Sequence, residues 1–400
     1  MNQSTLMMKA LRTLVVILAG GTLLAAPARA ALLPAGPEVL LAADPDLPLH
    51  TPIVAADSRG RSLICWQKHL WVDCGLFDRK LQPLRAPATV NPEHLAIDFP
   101  PVSASNGSQF VAGWTSPAAA VYGRAVDAQG RLAPSERLLS QGDGLYRVDP
   151  FFAAGPDLSF LGVWTGQVDP YGETAIYARR FRAPLGPLGP ELLLQPVPFP
   201  SGDPTVAFGE DGGFLLVWAA GASASGIFTR HFDASGVPAG PVVRLDQSPM
   251  HETSFPSVAF HAGRFLVAWQ GTDVAGESSI RARMVSGAGA SLGPERLVAQ
   301  TQTGFQQLPK VAADRKTGFV VIWEGLAAAD PSDAGVLARC FDRRGRPLSG
   351  DRLVNATVEG IQYRPSIAAL GGGQFAVAWE DVQFDTNQTT IRGRKIRCQR

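Results

Sequence analysis

The chain has 400 residues, 46% of them hydrophobic and 18% charged, and a formal net charge of +1. Its 42 Gly and 32 Pro, with apolar residues in short runs rather than helical stripes, exclude a helix-rich protein and describe many short strands joined by tight turns. Beyond the first thirty residues no stretch approaches the roughly eighteen unbroken apolar residues of a membrane helix, which excludes a helical span in the mature chain.

Residues 1–30 read as an export leader. Lys9 and Arg12 give a basic start, residues 14–26 (LVVILAGGTLLAA) an apolar run too short to span, and Ala28-Arg29-Ala30 a cleavage point. No Cys follows the cut, which argues against a lipid anchor there. The expected location is periplasmic or extracellular, and residues 31–400 form the mature unit. A length prior suggests two or three domains; the repeat that follows argues for one.

After residues 36–42 (GPEVLLA), one phrase recurs seven times: a Pro, an apolar strand, a small turn, and a second apolar strand ending in Trp. The Pro residues are Pro52, Pro100, Pro150, Pro204, Pro256, Pro309 and Pro365, and the Trp residues Trp66, Trp114, Trp164, Trp218, Trp269, Trp323 and Trp379. A third strand follows each Trp, as in residues 227–232 (IFTRHF) and 336–341 (VLARCF). A turn such as residues 342–350 (DRRGRPLSG) then leads to a fourth, as in residues 295–299 (ERLVA). The second strands, FLVAW (265–269) and FAVAW (375–379) among them, are apolar on both faces, as sheets buried on both sides require.

Four antiparallel strands in about fifty residues, seven times over, predict a seven-bladed all-β propeller. The last repeat stops after its third strand, residues 391–397 (IRGRKIR). Residues 36–42 resemble the fourth strand of another repeat, GPERLVA (293–299). The start of the mature chain is therefore expected to complete the last blade and close the ring. The phrase, best seen in residues 214–241 and 319–354, resembles repeats of exported bacterial propeller proteins that read loosely FxVxW…IxxRxFDxxGxPLGxE. The resemblance implies the architecture and carries no family-wide catalytic residues.

Two columns accompany the repeat. Arg124, Arg179, Arg283 and Arg339 precede Glu136, Glu191, Glu295 and Asp351 by twelve residues, and Arg394 would meet Glu38. These are expected as ion pairs across a hairpin, each worth about 0.2–1 kcal/mol. Blade 1 lacks both members, with Gly75 and Pro87 in their places. The Trp column reads as core rather than as a sugar-stacking ladder; Trp71, outside the column, is the better contact residue. Of the four cysteines, Cys65 and Cys74 fall on one face of adjacent strands, a sensible bridge. Cys340 and Cys398 would pair by elimination, although a parity count puts them on opposite faces.

The loops joining fourth to first strands and second to third strands share one face, with twenty acids against three bases. Such a face concentrates cations and repels nucleic acid. The innermost candidates precede each first-strand Pro: His50, Asp98, Phe99, Asp149, Asp203, Phe255, Gln307, Tyr363 and Arg364, with His251 and Glu252 nearby. No catalytic motif, P-loop, EF-hand, zinc-protease or sialidase Asp-box pattern is present. No cofactor is expected, although a bound cation such as calcium would suit the acids. Two readings follow. The first is a monomeric, non-catalytic propeller presenting acids to a cationic ligand, a carbohydrate or a basic protein surface. The second is an extracellular carbohydrate-active enzyme using carboxylates at the central opening.

Overall fold

The computed structural model describes residues 31–96, 100–168, 174–197, 202–221, 225–301, 304–327, 330–386 and 388–399. The expected leader, residues 1–30, and Asp98 lie outside the described residues. Twenty-nine strands and no helix are found among those described.

The strands form seven antiparallel sheets, the blades of a propeller. Blade 1 runs through Leu49–Ala56, Ser62–Lys68, Trp71–Phe77 and Pro83–Thr89, innermost to outermost. The inner strands of blades 2 to 6 are Val102–Ser105, Arg147–Ala154, Thr205–Phe208, Glu252–His261 and Gln306–Asp314. Blade 7 consists of Ile361–Gly371, Gln374–Val382 and Thr389–Gln399, completed by Ala31–Ala42 as its outer strand. Each inner strand contacts the next, and that of blade 7 contacts that of blade 1, so the ring closes. The closing register pairs Glu38 with Arg394 and Leu32 with Cys398, as the sequence predicts for the first of these.

Because both faces of a blade are buried, the core is divided among the seven gaps between blades. Each gap holds one apolar cluster, and each column Trp packs into the gap on the side of the preceding blade. Trp379 joins Ile322 and Cys340 of blade 6, Trp323 joins Ala268 and Ile280 of blade 5, and Trp66 joins Ala376 and Ile391 of blade 7. The seven rings are at most 3% exposed, which makes them core.

The Arg and acid columns work differently from the expected hairpin ion pairs. Each Arg donates to carbonyls: Arg283 Nε to Gly293 of its own blade and Nη1 to Leu245 of the preceding blade, at 2.9 and 3.0 Å. Arg124, Arg179, Arg339 and Arg394 repeat this on Val90, Leu139, Val298 and Val354. The acids accept backbone amides of the preceding blade instead: Glu136 from Glu93 and His94, Glu191 from Gln141, Glu295 from Gln247 and Ser248, and Asp351 from Gln300. Only Asp351 approaches its column Arg, at 4.0 Å from Arg339. A carboxylate satisfied by two amides gains more from those bonds than from a partly exposed ion pair. The columns are therefore staples between blades.

Blade 1 has neither staple, and its junction with blade 7 is held by other groups. Arg79 donates to the carbonyls of Leu370 and Gly371, Ser366 Oγ accepts the Val54 amide at 3.0 Å, and Glu380 accepts the Thr51 amide at 2.5 Å. The closing strand supplies the last staple, with Glu38 accepting the amides of Ala356 and Thr357 at 2.6 and 3.2 Å.

Both disulfides are formed. Cys65 and Cys74 sit directly opposite on neighbouring strands of blade 1. Cys340 and Cys398 bridge blade 6 to blade 7, with Cα atoms 6.2 Å apart. Lying on opposite faces is what brings them together, because the two faces look at each other across a gap between blades.

Glu38→Ala should lower the unfolding free energy by about 2–4 kcal/mol, since two amides and Thr357 Oγ1 lose a charged acceptor. Chemical denaturation monitored by tryptophan fluorescence measures this; a change within error of the parent would show that the closing strand contributes nothing through this group.

Candidate functional site

In the six blades where it is described, the residue before the repeat Pro has a backbone conformation that L side chains rarely adopt. Thr51, Asp149, Asp203, Phe255, Leu308 and Arg364 have φ between 48° and 56°. The ladders of blades 1, 3, 5, 6 and 7 skip register at this point, between His50 and Ile53 or Gln307 and Lys310, for example. Left-handed backbone at a non-Gly residue costs on the order of 1–3 kcal/mol and persists only where the surroundings enforce it. Here the following Pro disfavours the right-handed helical region, and the bulge turns the pre-Pro side chain into the central opening. Recurrence in blade after blade makes this a property of the repeat, and it lets sequence variation at one position furnish the opening.

The result is a cavity of about 930 Å³ at the centre of the ring, lined by all six of these residues. Pro52, Pro100, Pro101 and Pro365 add apolar walls, and His50, Gln67, His69, Lys310 and Tyr363 add polar groups.

Of the residues expected from sequence, His50, Asp149, Asp203, Tyr363 and Arg364 are brought together here. His251 and Glu252 are not: they are exposed at the start of the blade 5 inner strand, outside the cavity lining. Sequence reasoning did not single out Glu324, Glu380 or Lys310. The first two directly follow the column Trp of blades 6 and 7, where the other blades have Gln67, Thr115, Thr165, Ala219 and Gln270. In blades 5, 6 and 7 the side chain at this position reaches the pre-Pro amide of the following blade. Glu380 accepts from Thr51, Glu324 from Arg364 at 2.6 Å, and Gln270 from Leu308 at 3.4 Å. Ala219 cannot do so in blade 4, and there Asp203 accepts the Phe255 amide at 3.4 Å.

Two clusters of ionisable groups result. On the blade 7 side, fully buried Glu380 accepts from Thr51 and from Arg364 Nη1 at 3.2 Å, and lies 3.3 Å from His50 Nδ1. Burial and neighbouring Glu380 push the Tyr363 hydroxyl up to about 12, so it remains a donor. Glu324 is raised by burial, with the Arg364 amide and charge opposing.

On the other side stand Asp149 and Asp203, neighbours on blades 3 and 4. Burial first, and then the charge of Asp203, push Asp149 up to about 6. Asp203 is also raised by burial, but the Lys310 charge and the Phe255 amide favour its ionised form. Burial lowers Lys310, against the pull of Asp203. Among the described residues no cation faces Asp149 in this way, so the two carboxyls, both raised by burial, differ in whether a positive charge opposes the rise. The Asp149 carboxylate also lies over Gly202, where a Cβ would stand 2.9 Å from Oδ2; an Ala there would displace it.

Besides Glu380, four of the twenty acids counted on this face are paired with cations among the described residues. Asp44 is bound to Lys68 at 2.6 Å, Asp143 to Arg147 at 3.0 Å, Asp246 to Arg244 at 2.7 Å and Asp381 to Arg392 at 2.8 Å. Arg244 and Arg392 come from strands that the loop count left out. Among the described residues, no group of three or more His, Cys, Asp or Glu is placed to hold a metal ion.

No family model matches the sequence, and no curated protein matches it. Solved structures do. A protein of unknown function from Dyadobacter fermentans is similar over 92% of this chain and 99% of its own, at 12% identity and a TM-score of 0.54. An α-L-arabinanase from Penicillium chrysogenum, complexed with arabinobiose, is similar over 91% of this chain and 98% of its own, at 10% identity and a TM-score of 0.50. At such identities the likeness is one of fold.

Because the folded Asp149 carboxyl sits above its ordinary value of 3.8, ionising it destabilises the protein as pH rises through about 6. Asp149→Asn should therefore raise Tm relative to the parent at pH 8 and leave it unchanged at pH 4. Differential scanning calorimetry at both values checks this; an equal shift at the two would mean that Asp149 titrates normally.

Proposed function

We propose that the chain is an exported carbohydrate-active propeller that cleaves a glycosidic bond in the central cavity, with Asp149 and Asp203 as its carboxyl pair. One observation carries this: two carboxyls on neighbouring blades line a largely apolar cavity, both raised by burial, and only Asp203 has a cation and a backbone amide opposing the rise. Such a pair divides into an acid and a base, and glycoside hydrolysis needs both at one bond. Asp149, protonated up to about pH 6, donates to the leaving oxygen. Asp203, whose charge is favoured by Lys310 and the Phe255 amide, acts on the opposite side. It takes the proton of a water that attacks the sugar carbon as the leaving oxygen departs, or attacks that carbon itself to form a glycosyl intermediate that water then cleaves. Arg364, Tyr363 and His50 offer donors to sugar hydroxyls, and the prolines with Phe255 and Leu308 exclude water.

The same fold in the α-L-arabinanase solved with arabinobiose makes arabinan the first substrate to try. Two disulfides agree with an oxidising compartment outside the cytoplasm.

The cationic-ligand reading fits less well. The cavity itself holds Lys310 and Arg364 beside its acids.

Reducing-sugar release from arabinan, xylan, galactan and cellulose oligosaccharides tests the proposal. Asp149→Asn and Asp203→Asn should each lower kcat by about 100-fold or more without lowering Tm, and the parent should lose activity as pH rises through about 6. Turnover that survives either substitution would remove these residues from the chemistry. Binding of a polyamine or basic peptide, abolished by the same substitutions, with no sugar released, would favour the cationic-ligand reading.

A further inference from the structure

The rim of the cavity is uneven, and its low side is built around an exposed tryptophan. The height of each blade above the Trp column follows from how many residues separate that Trp from its partner on the third strand. Trp66 pairs with Asp73, seven residues on, and Trp114 with Tyr122, eight on. The separation is ten at Trp218–Phe228, twelve at Trp269–Arg281, thirteen at Trp164–Tyr177 and Trp379–Arg392, and fourteen at Trp323–Leu337. Split between two arms at a rise of roughly 3.3 Å per residue, the blade 1 hairpin ends as much as about 10 Å below that of blade 6.

At the tip of this low hairpin are His69, Leu70 and Trp71. His69 lines the cavity, and the Trp71 ring, 40% exposed, lies 6.1 Å from it at an interplanar angle of 49°. The tip is held firmly. The Cys65–Cys74 bridge ties its arms. Asn91 accepts the Val72 amide at 2.6 Å and donates to the Leu70 carbonyl at 3.0 Å, and Lys68 is paired with Asp44. Every other Trp of the described chain is a buried core residue of the repeat.

We infer that Trp71 is a stacking platform for a sugar ring lying outside the cavity, on a path over the lowered rim of blade 1. The ligand is then a neutral oligosaccharide or polysaccharide chain with at least one ring beyond the cavity, not a single sugar. An indole fixed in place before binding presents an apolar, electron-rich face to the C–H side of a sugar without an entropic cost of ordering. This inference rests on the carbohydrate reading for its ligand and not on the cleavage chemistry.

The test uses oligosaccharides of arabinan, xylan, galactan and cellulose, each as a ladder from disaccharide to hexasaccharide. Binding is measured by calorimetry and by tryptophan fluorescence, in the parent and in Asp149→Asn to prevent turnover. Affinity for the recognised ladder should rise with length. Trp71→Ala should weaken hexasaccharide binding by roughly tenfold and leave disaccharide binding unchanged, with Trp71→Phe recovering most of the loss. Tm of each variant confirms folding. A Trp71→Ala variant whose affinity depends on length as the parent's does would overturn the inference even if the parent hydrolyses sugars. A length-dependent loss in a protein that hydrolyses nothing would support the inference and discard the cleavage chemistry. If no ladder binds at all, both fall.

Discussion

Every blade of this protein reaches back to hold the one before it. In blades 2, 3, 5, 6 and 7 the column Arg donates to a carbonyl at the end of the preceding blade's outer strand and the column acid accepts amides from the loop that follows; blade 1 reaches back through Arg79 instead. In blades 5, 6 and 7 the residue after the column Trp reaches forward to the pre-Pro amide of the next. These bonds are local in space and remote in sequence. They are needed because a blade buried on both faces has no core of its own; its apolar side chains are covered only when neighbours stand at a fixed distance and angle. The ring is the arrangement that gives every blade two neighbours, and strand Ala31–Ala42 completes it by filling the open edge of blade 7.

The site is a by-product of the same repeat. In the six blades where it is described, a strained residue before the Pro aims its side chain into the opening, so the cavity is furnished largely by one variable position repeated around a circle. Asp149 and Asp203 occupy it on adjacent blades, and their contrast depends on what stands opposite. Asp203 faces the Lys310 charge and the Phe255 amide, and Asp149 faces neither. On the far side Glu380 and Glu324 are structural acceptors first, and in that role they fix Arg364 and His50 at the cavity wall.

Blade 1 departs from the repeat in a coherent way. It lacks the staple pair, carries its own disulfide, is joined to blade 7 through Arg79, Ser366 and Glu380, and has the shortest hairpin. A blade that does not have to match its neighbours in height can lower the rim of the opening, and the covalent tie keeps so short a hairpin in place.

By itself the sequence determined the blade count, the strand order within each blade, the closing strand and the burial of the Trp column, because all of these follow from a spacing along the chain. It also placed His50, Asp149, Asp203, Tyr363 and Arg364 at the opening, since the pre-Pro position recurs. Only the tertiary structure decided what depends on which blade faces which. It turned the Arg and acid columns from hairpin pairs into staples between blades, joined Cys340 to Cys398 across a gap, and excluded His251 and Glu252 from the cavity. It also paired Asp44, Asp143, Asp246 and Asp381 of the loop acids with cations and brought Lys310 to Asp203. Periodicity fixes what each blade is; the side chains that meet when seven of them are set in a circle come from residues tens to hundreds of positions apart, and no spacing along the chain encodes that meeting.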